Sequence, residues 1–340
     1  MQALFVTRHG GPQVLELRDQ PDPSPAAGEV RVCVRACSVS YADALARQGR
    51  HAAAPRPPCV LGYEGAGVVD ALGEATQGPA PGTRVVFVSR FGAHQSQVCI
   101  PASQVAVLPP FVSFQAAAAM PVDYLTAQHA LFEFGHVRPG SHVLVHLAAS
   151  SVGCAALQLC GAAAGVTVFA TAPSSHHAEL RALGCHHPID PATTDYPSEI
   201  MRLTQNRGVD LILDPVGGPE WKTGYSLLRP AGLLVVLGTA HLRRGRRWAW
   251  AQALWDLARM PRFSPLQLLA DGRGIAGVDV ARLFDDEALL QRQLRALMGR
   301  VANRTFQPRL GQVFAFAEAE AAHRAIEQGT AKGKPVLVPG

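Results

Sequence analysis

Lysine is nearly absent from this 340-residue chain. Only Lys222, Lys332 and Lys334 carry an ammonium, and the other 28 of its 31 basic residues are arginine. Against 26 acidic residues the formal net charge is +5. An excess this small does not argue for a nucleic-acid partner, and none is expected. The seven cysteines, Cys33, Cys37, Cys59, Cys99, Cys154, Cys160 and Cys185, never form a Cys-x-x-Cys pair. That argues against a disulfide scaffold or a structural zinc lobe and fits a reducing cytoplasm. No apolar run reaches the ~18 residues a membrane-spanning helix requires. The opening Met1-Gln2-Ala3-Leu4-Phe5-Val6 is broken by Arg8 and Gly10-Gly11 too soon for a secretory signal. Charged residues make up 17% and hydrophobic residues 48%, which excludes disorder and indicates a globular chain. Its length exceeds the ~250–300 residues over which one core keeps growing, so two lobes are expected.

The first third is β-rich. Short β-branched or alternating runs at 3–7, 14–17, 30–36, 65–71, 84–88 and 93–100 are punctuated by Pro and Gly, and one short helix interrupts them near 41–48. Such closely spaced strands predict a small barrel-like lobe. From about residue 121 the texture changes. Apolar strands at 142–147, 166–171, 186–189, 209–213 and 233–237 alternate with helices at 152–164, 174–183, 196–205 and 218–228. This α/β alternation predicts a doubly wound parallel sheet covered on both faces. The expected lobes are residues 1–120, joined by a C-terminal return of about 305–340, and residues 121–304.

The turn His146-Leu147-Ala148-Ala149-Ser150-Ser151-Val152-Gly153 joins the first of these strands to its helix. Of a G-x-G-x-x-G pattern only Gly153 remains. Ala149, Ser150, Ser151 and Val152 are nevertheless small enough for backbone amides to approach a pyrophosphate at a helix N-terminus. A serine-capped helix start would use the same residues without a ligand. An acid gripping a ribose 2′-hydroxyl should follow about 20 residues on. Here Thr171, Ser174, Ser175, His176 and Arg181 fill that stretch, and no acid appears before Glu179. Such groups accept a 2′-phosphate, which favours NADPH over NADH.

Across nearly its whole length the chain resembles the zinc-independent quinone oxidoreductases of the medium-chain dehydrogenase/reductase superfamily, and within them the vesicle-amine-transport-like branch. The resemblance is carried by Ala36-Cys37-Ser38-Val39-Ser40-Tyr41-Ala42-Asp43, Gly62-Tyr63-Glu64-Gly65-Ala66-Gly67, the turn ending at Gly153, His187-Pro188-Ile189-Asp190, Gly208-Val209-Asp210, Asp214-Pro215-Val216-Gly217-Gly218, and Gly333-Lys334-Pro335-Val336-Leu337. It implies a GroES-like lobe, a Rossmann lobe, a nicotinamide cofactor and hydride transfer to a quinone or an enone. Zinc-dependent relatives use Cys and His where this chain has Ser40 and Tyr63, and hydroxyls are poor zinc ligands, so no metal is expected.

By that resemblance Ser40, Tyr41 and His51 line the substrate end, with His51 a proton donor, and Asp43 and Tyr63 lie beside them. An exposed loop histidine and a packing tyrosine explain His51 and Tyr63 equally simply. Thr126, Gly238, Thr239 and Lys334 are expected near the cofactor. Two departures loosen the NADPH preference: His176 stands where the nearest branch has Lys, and Pro191 where relatives have Tyr. The resemblance also implies a homodimer formed through Rossmann-sheet edges. Arg243, Arg244, Arg246 and Arg247 beside Trp248 and Trp250 offer a peripheral contact with an anionic membrane surface. A non-catalytic nucleotide- or lipid-binding protein and a biosynthetic enoyl reductase are the competing readings.

Overall fold

The computed structural model describes residues 1–238, 260–331 and 333–340. The chain divides into two units, Met1–Leu125 with Val280–Gly340, and Thr126–Asp279.

In the first unit, β1 (Gln2–Val6) pairs antiparallel with β2 (Leu15–Asp19) and β4 (Cys59–Val60). The longest strand, β3 (Glu29–Ser38), anchors the larger sheet. Its neighbours are β5 (Glu64–Leu72) on one edge and β16 (Val336–Val338) on the other, and β7 (Gln97–Pro101) also pairs with it. Beyond β5 come β6 (Arg84–Val88) and β8 (Val105–Val107), while β15 (Val313–Ala315) completes the far edge beside β16. Alternation along β3 sends Val30, Val32 and Val34 inward against Val69, Val85 and Phe87. Phe314, Phe316 and Leu337 join the same core, so the C-terminal return is an integral part of it. Gly67 fits where β5 crosses β3, because a Cβ there would lie 2.1 Å from the Cys33 carbonyl oxygen.

The helix α9 (Glu287–Ala302) starts at Asp286, whose carboxylate accepts from Leu289 N at 3.0 Å. Its buried face, Leu290, Leu294, Leu297 and Val301, has the i, i+4, i+7 spacing of an amphipathic helix. It packs beside β8 and the turn before it. The unit boundary therefore lies at 279/280. Residues 280–304, expected with the nucleotide lobe, pack with the first unit because that apolar face is buried there.

Among the described residues the second unit forms a six-stranded all-parallel sheet in the order β11 (His187–Ile189), β10 (Thr167–Thr171), β9 (His142–Val145), β12 (Val209–Asp214), β13 (Leu228–Val236) and β14 (Gly274–Gly277). The helices α4 (Ser151–Gly161), α5 (His177–Ala182), α6 (Tyr196–Leu203) and α7 (Glu220–Leu227) connect successive strands. Leu144, Phe169, Ile212 and Leu234 fill one core of the sheet. The doubly wound α/β architecture is as expected. Open sheets of this kind take ligands at the carboxyl ends of their strands, where the order reverses, here between β9 and β12.

Candidate functional site

The strand-to-helix turn after β9 is built for close approach. Leu147 takes φ of +48°, which turns the chain sharply out of the strand. Ala148 N donates to Thr171 O at 3.1 Å. At Gly153 a Cβ would stand 2.7 Å from the backbone of Ala148, so only glycine lets α4 pack this tightly on the turn. Ser150 caps the helix, its hydroxyl oxygen accepting from Gly153 N at 3.2 Å. The cap and the ligand readings coexist, since the first-turn amides of Ser151 and Val152 have no carbonyl one turn back to bond. Together with the macrodipole they form a cradle that suits a diphosphate.

Behind this turn lie two buried polar side chains, His146 and Asp214. His146 accepts or shares a proton with Thr171 through Nδ1, 2.9 Å from Oγ1, and burial pulls its pKa down to about 4. Its Nε2 has no hydrogen-bond partner among the described residues. Asp214, at the end of β12, accepts from Val216 N at 2.6 Å and Gly217 N at 3.1 Å through one oxygen, while the other has no such partner among the described residues. Burial raises its pKa to about 6. Orphaned polar atoms at the ligand-binding edge of a parallel sheet fit a nucleotide-sized group with its own donors and acceptors. Gly217 and Gly218, both at positive φ, turn the chain after Asp214.

Past β10 the expected phosphate-accepting groups are present, with one addition. Ser174 and Ser175 are exposed at the start of a short helical turn, and Arg181 is exposed on α5. His176 Nδ1 stands 3.6 Å from a Glu179 carboxylate oxygen. The added group is Asp190. From the end of β11 its carboxylate accepts from Ser174 N at 2.7 Å and from Ala192 N at 3.0 Å, and these bonds hold its pKa below the usual range. The stretch that lacks an acid in sequence thus receives one through the fold. Thr171, by contrast, is buried and engaged with His146. Thr126 is also buried, and Gly238 ends the described part of the strand region after β13. Thr239 lies outside the described residues, as do Arg243, Arg244, Arg246, Arg247, Trp248 and Trp250.

The expected substrate-end residues all belong to the first unit and form two groups. Ser40 caps α1 (Tyr41–Arg47) in a reciprocal box: Asp43 N donates to its hydroxyl oxygen at 3.2 Å, and its own N–H and O–H donate to Asp43 Oδ2 at 2.8 and 2.7 Å. Asp43 is fully buried, and its other oxygen accepts from Gly62 N at 2.9 Å. These two residues therefore set the helix and the turn before Tyr63. Tyr41, at the first turn, is 37% exposed. In the second group His51 Nε2 lies 3.4 Å from the Tyr63 hydroxyl, and Phe91 packs against both rings. Phe91 has no sequence signal of its own. It arrives through the turn after β6.

Lys334 is committed within the first unit. Its ammonium pairs with Glu64 and lies 2.9 Å from Asp123 Oδ2, all three side chains being buried. Burial pulls its pKa down, but Asp123 and Glu64 outweigh that and raise it, so the amine stays charged. Glu64 also accepts from Ser38 Oγ at 2.5 Å and from Val122 N at 2.6 Å, in the first turn of α3 (Pro121–Gln128). Among the described residues no group of three or more His, Cys, Asp or Glu side chains is arranged to hold a metal ion.

Comparison with known proteins agrees with this architecture. Residues 26–127 match the alcohol dehydrogenase GroES-like domain, and residues 183–337 match the family described as zinc-binding dehydrogenase. The synaptic vesicle membrane protein VAT-1 homolog of Rattus norvegicus is 39% identical over 345 residues, covering 100% of this chain and 84% of the relative. A quinone oxidoreductase of Pseudomonas aeruginosa is 30% identical over 344 residues, 97% of each chain. Among solved structures, a mycobacterial protein complexed with NADPH superposes with a TM-score of 0.84 at 27% identity, covering 100% of both chains. The chain belongs to the medium-chain dehydrogenase/reductase superfamily, in its branch of VAT-1 homologues.

Proposed function

We propose that this protein is an NADPH-dependent oxidoreductase that reduces a quinone or an α,β-unsaturated carbonyl and needs no zinc. The carrying observation is the turn at Gly153, where glycine alone permits the helix-to-strand approach that exposes first-turn amides to a diphosphate. Bound there, NADPH would supply hydride. Ala149, Ser150, Ser151, Val152 and Gly153 hold the diphosphate, and Ser174, Ser175, His176 and Arg181 receive the 2′-phosphate. Thr126 and Gly238 belong to the nicotinamide side. Lys334 acts through Glu64 and Asp123 rather than on the cofactor. In the first unit, His51, Tyr63 and Phe91 meet the substrate, and negative charge developing on its carbonyl oxygen calls for a proton donor.

The protein is proposed to act in the cytoplasm, and as a homodimer because, among the described residues, no strand pairs with the outer edge of β14 in the parallel sheet. Calorimetry with NADPH and NADH, followed by turnover on a panel of quinones, enals and enones, tests the reading. Micromolar NADPH binding with substrate-dependent oxidation is expected. Binding without turnover across the panel would favour a nucleotide-binding scaffold.

A second reading, peripheral membrane contact, draws on Leu266 and Leu269. They are 78% and 79% exposed on α8 (Pro265–Asp271), shortly after the arginine- and tryptophan-rich segment in sequence. Among the described residues no helix is long and apolar enough to cross a membrane. Pelleting with phosphatidylserine vesicles that weakens in salt and on removal of the four arginines is the expected result for this reading. Pelleting unchanged by that removal would end it.

A further inference from the structure

The tripeptide Gly62-Tyr63-Glu64 is held on both sides by buried charge. Gly62 N donates to Asp43, and Gly62 itself takes φ of +98°, where a Cβ would lie 2.5 Å from the His94 ring. Glu64 is fixed by Ser38, Val122 and Lys334. Between them the carbonyl of Tyr63 accepts from Ser89 N at 2.7 Å. The backbone that carries Tyr63 thus has little freedom. Its half-buried side chain is delivered to His51, 3.4 Å from hydroxyl to Nε2, with the Phe91 ring centroid 5.0 Å away. The other ring nitrogen of His51 is buried, with no hydrogen-bond partner among the described residues, so the ring meets a hydroxyl on the Nε2 side alone. A rigid mount of this kind is how a site keeps a reactive group in register.

Resting on the oxidoreductase reading above, we propose that Tyr63 and His51 form the proton-delivering pair of the reaction, Tyr63 donating to the substrate and His51 restoring its proton. Hydride added to the β-carbon of an enone breaks the carbon–carbon π bond and leaves an enolate, so the substrate gains two electrons and the nicotinamide loses them. The Tyr63 O–H bond breaks as its proton passes to the enolate, and the ketone is reached by tautomerisation. The phenolate takes the Nε2 proton of the His51 imidazolium, which leaves a neutral imidazole protonated at Nδ1, and solvent then returns a proton to Nε2. Phe91 lies edge-on to His51 at 6.0 Å between ring centroids and shields one side of the pair.

The test compares the wild type with Tyr63→Phe and His51→Gln on cyclohexenone and on phenanthrenequinone. NADPH affinity is followed by fluorescence and folding by thermal melting. The enolate is a strong base whose capture needs a placed acid, whereas the hydroquinone anion is a weak one. Tyr63→Phe is therefore expected to lower kcat on the enone by about 10²–10⁴-fold, the usual worth of a placed acid, and on the quinone far less. NADPH affinity should stay within about twofold, and the solvent deuterium isotope effect on kcat should be lost. His51→Gln should show the same bias toward loss on the enone, and it decides the matter if Tyr63→Phe fails to fold. An equal loss on both substrates, or none on either, with a retained isotope effect, would overturn the pair. If the wild type reduces only quinones, a solvent isotope effect unchanged by both variants overturns it. A wild type inert on both substrates would instead refute the oxidoreductase reading itself.

Discussion

Lys334 is a buried cation shared by Glu64 and Asp123, and it ties the approach to the last strand to both β5 and the first turn of α3. Removing one member of a buried ionic group leaves uncompensated charge and typically costs 3–5 kcal/mol. Lys334→Met is therefore expected to lower the unfolding free energy measured in urea by an amount in that range. Adding Glu64→Gln should recover part of the loss, because one carboxylate then no longer needs a partner. A fully stable single variant would show that the group contributes nothing.

Asp214 and His146 should pull the pH dependence of stability in opposite directions. The folded pKa of Asp214 is raised by burial to about 6, above its ordinary 3.8. Its contribution is present below pH 4 and is lost as pH rises to 6, by about 3 kcal/mol at 1.36 kcal/mol per unit. The folded pKa of His146 is depressed by burial to about 4, from 6.5. Its contribution is present above pH 6.5 and is lost as pH falls toward 4. Asp214→Asn should therefore raise stability above pH 6, and His146→Gln should remove the loss on the acid side. Chemical denaturation between pH 4 and 7 measures both slopes.

Gly153→Ala should abolish nucleotide binding while leaving the sheet folded. The added methyl would stand 2.7 Å from the Ala148 backbone, which cannot move aside as a side chain could. A loss of more than about tenfold in NADPH affinity is expected by calorimetry, with a far-ultraviolet circular dichroism spectrum like that of the wild type.

Asp190→Asn should shift cofactor choice. The carboxylate lies against Ser174 N, where a 2′-phosphate would meet its negative charge. Asparagine keeps an acceptor for that amide and removes the charge. A several-fold rise in NADPH affinity relative to NADH is expected. An unchanged ratio would separate Asp190 from selectivity.

The alternating apolar strands and helices made the parallel sheet readable from sequence, because a strand buried on both faces leaves a continuous apolar run and its helix an amphipathic one. The turn at Gly153 was readable for the same reason, since its small residues fall at a strand-to-helix junction. What escaped depends on separations that no local pattern encodes. Asp190 reaches Ser174 only because β11 and β10 pair in register. Glu64 and Asp123 meet Lys334 across more than two hundred residues, and Phe91 joins His51 and Tyr63 through a turn with no distinctive composition. The helix of residues 287–302 packs in the first unit, which its sequence does not reveal, because an amphipathic stripe states that a face is buried and not against what.

The closing strand of the first unit has a consequence for synthesis. Until β16 emerges, Cys37 and Ser38 at the end of β3 lack their partner strand, and Phe314, Phe316 and Leu337 are missing from the core that Val30 and Phe87 begin. The parallel sheet, formed by one continuous stretch, can close while the earlier lobe still waits on the ribosome. A nascent chain stalled near residue 300 should therefore offer a chaperone an unfinished β-sheet beside a finished nucleotide fold.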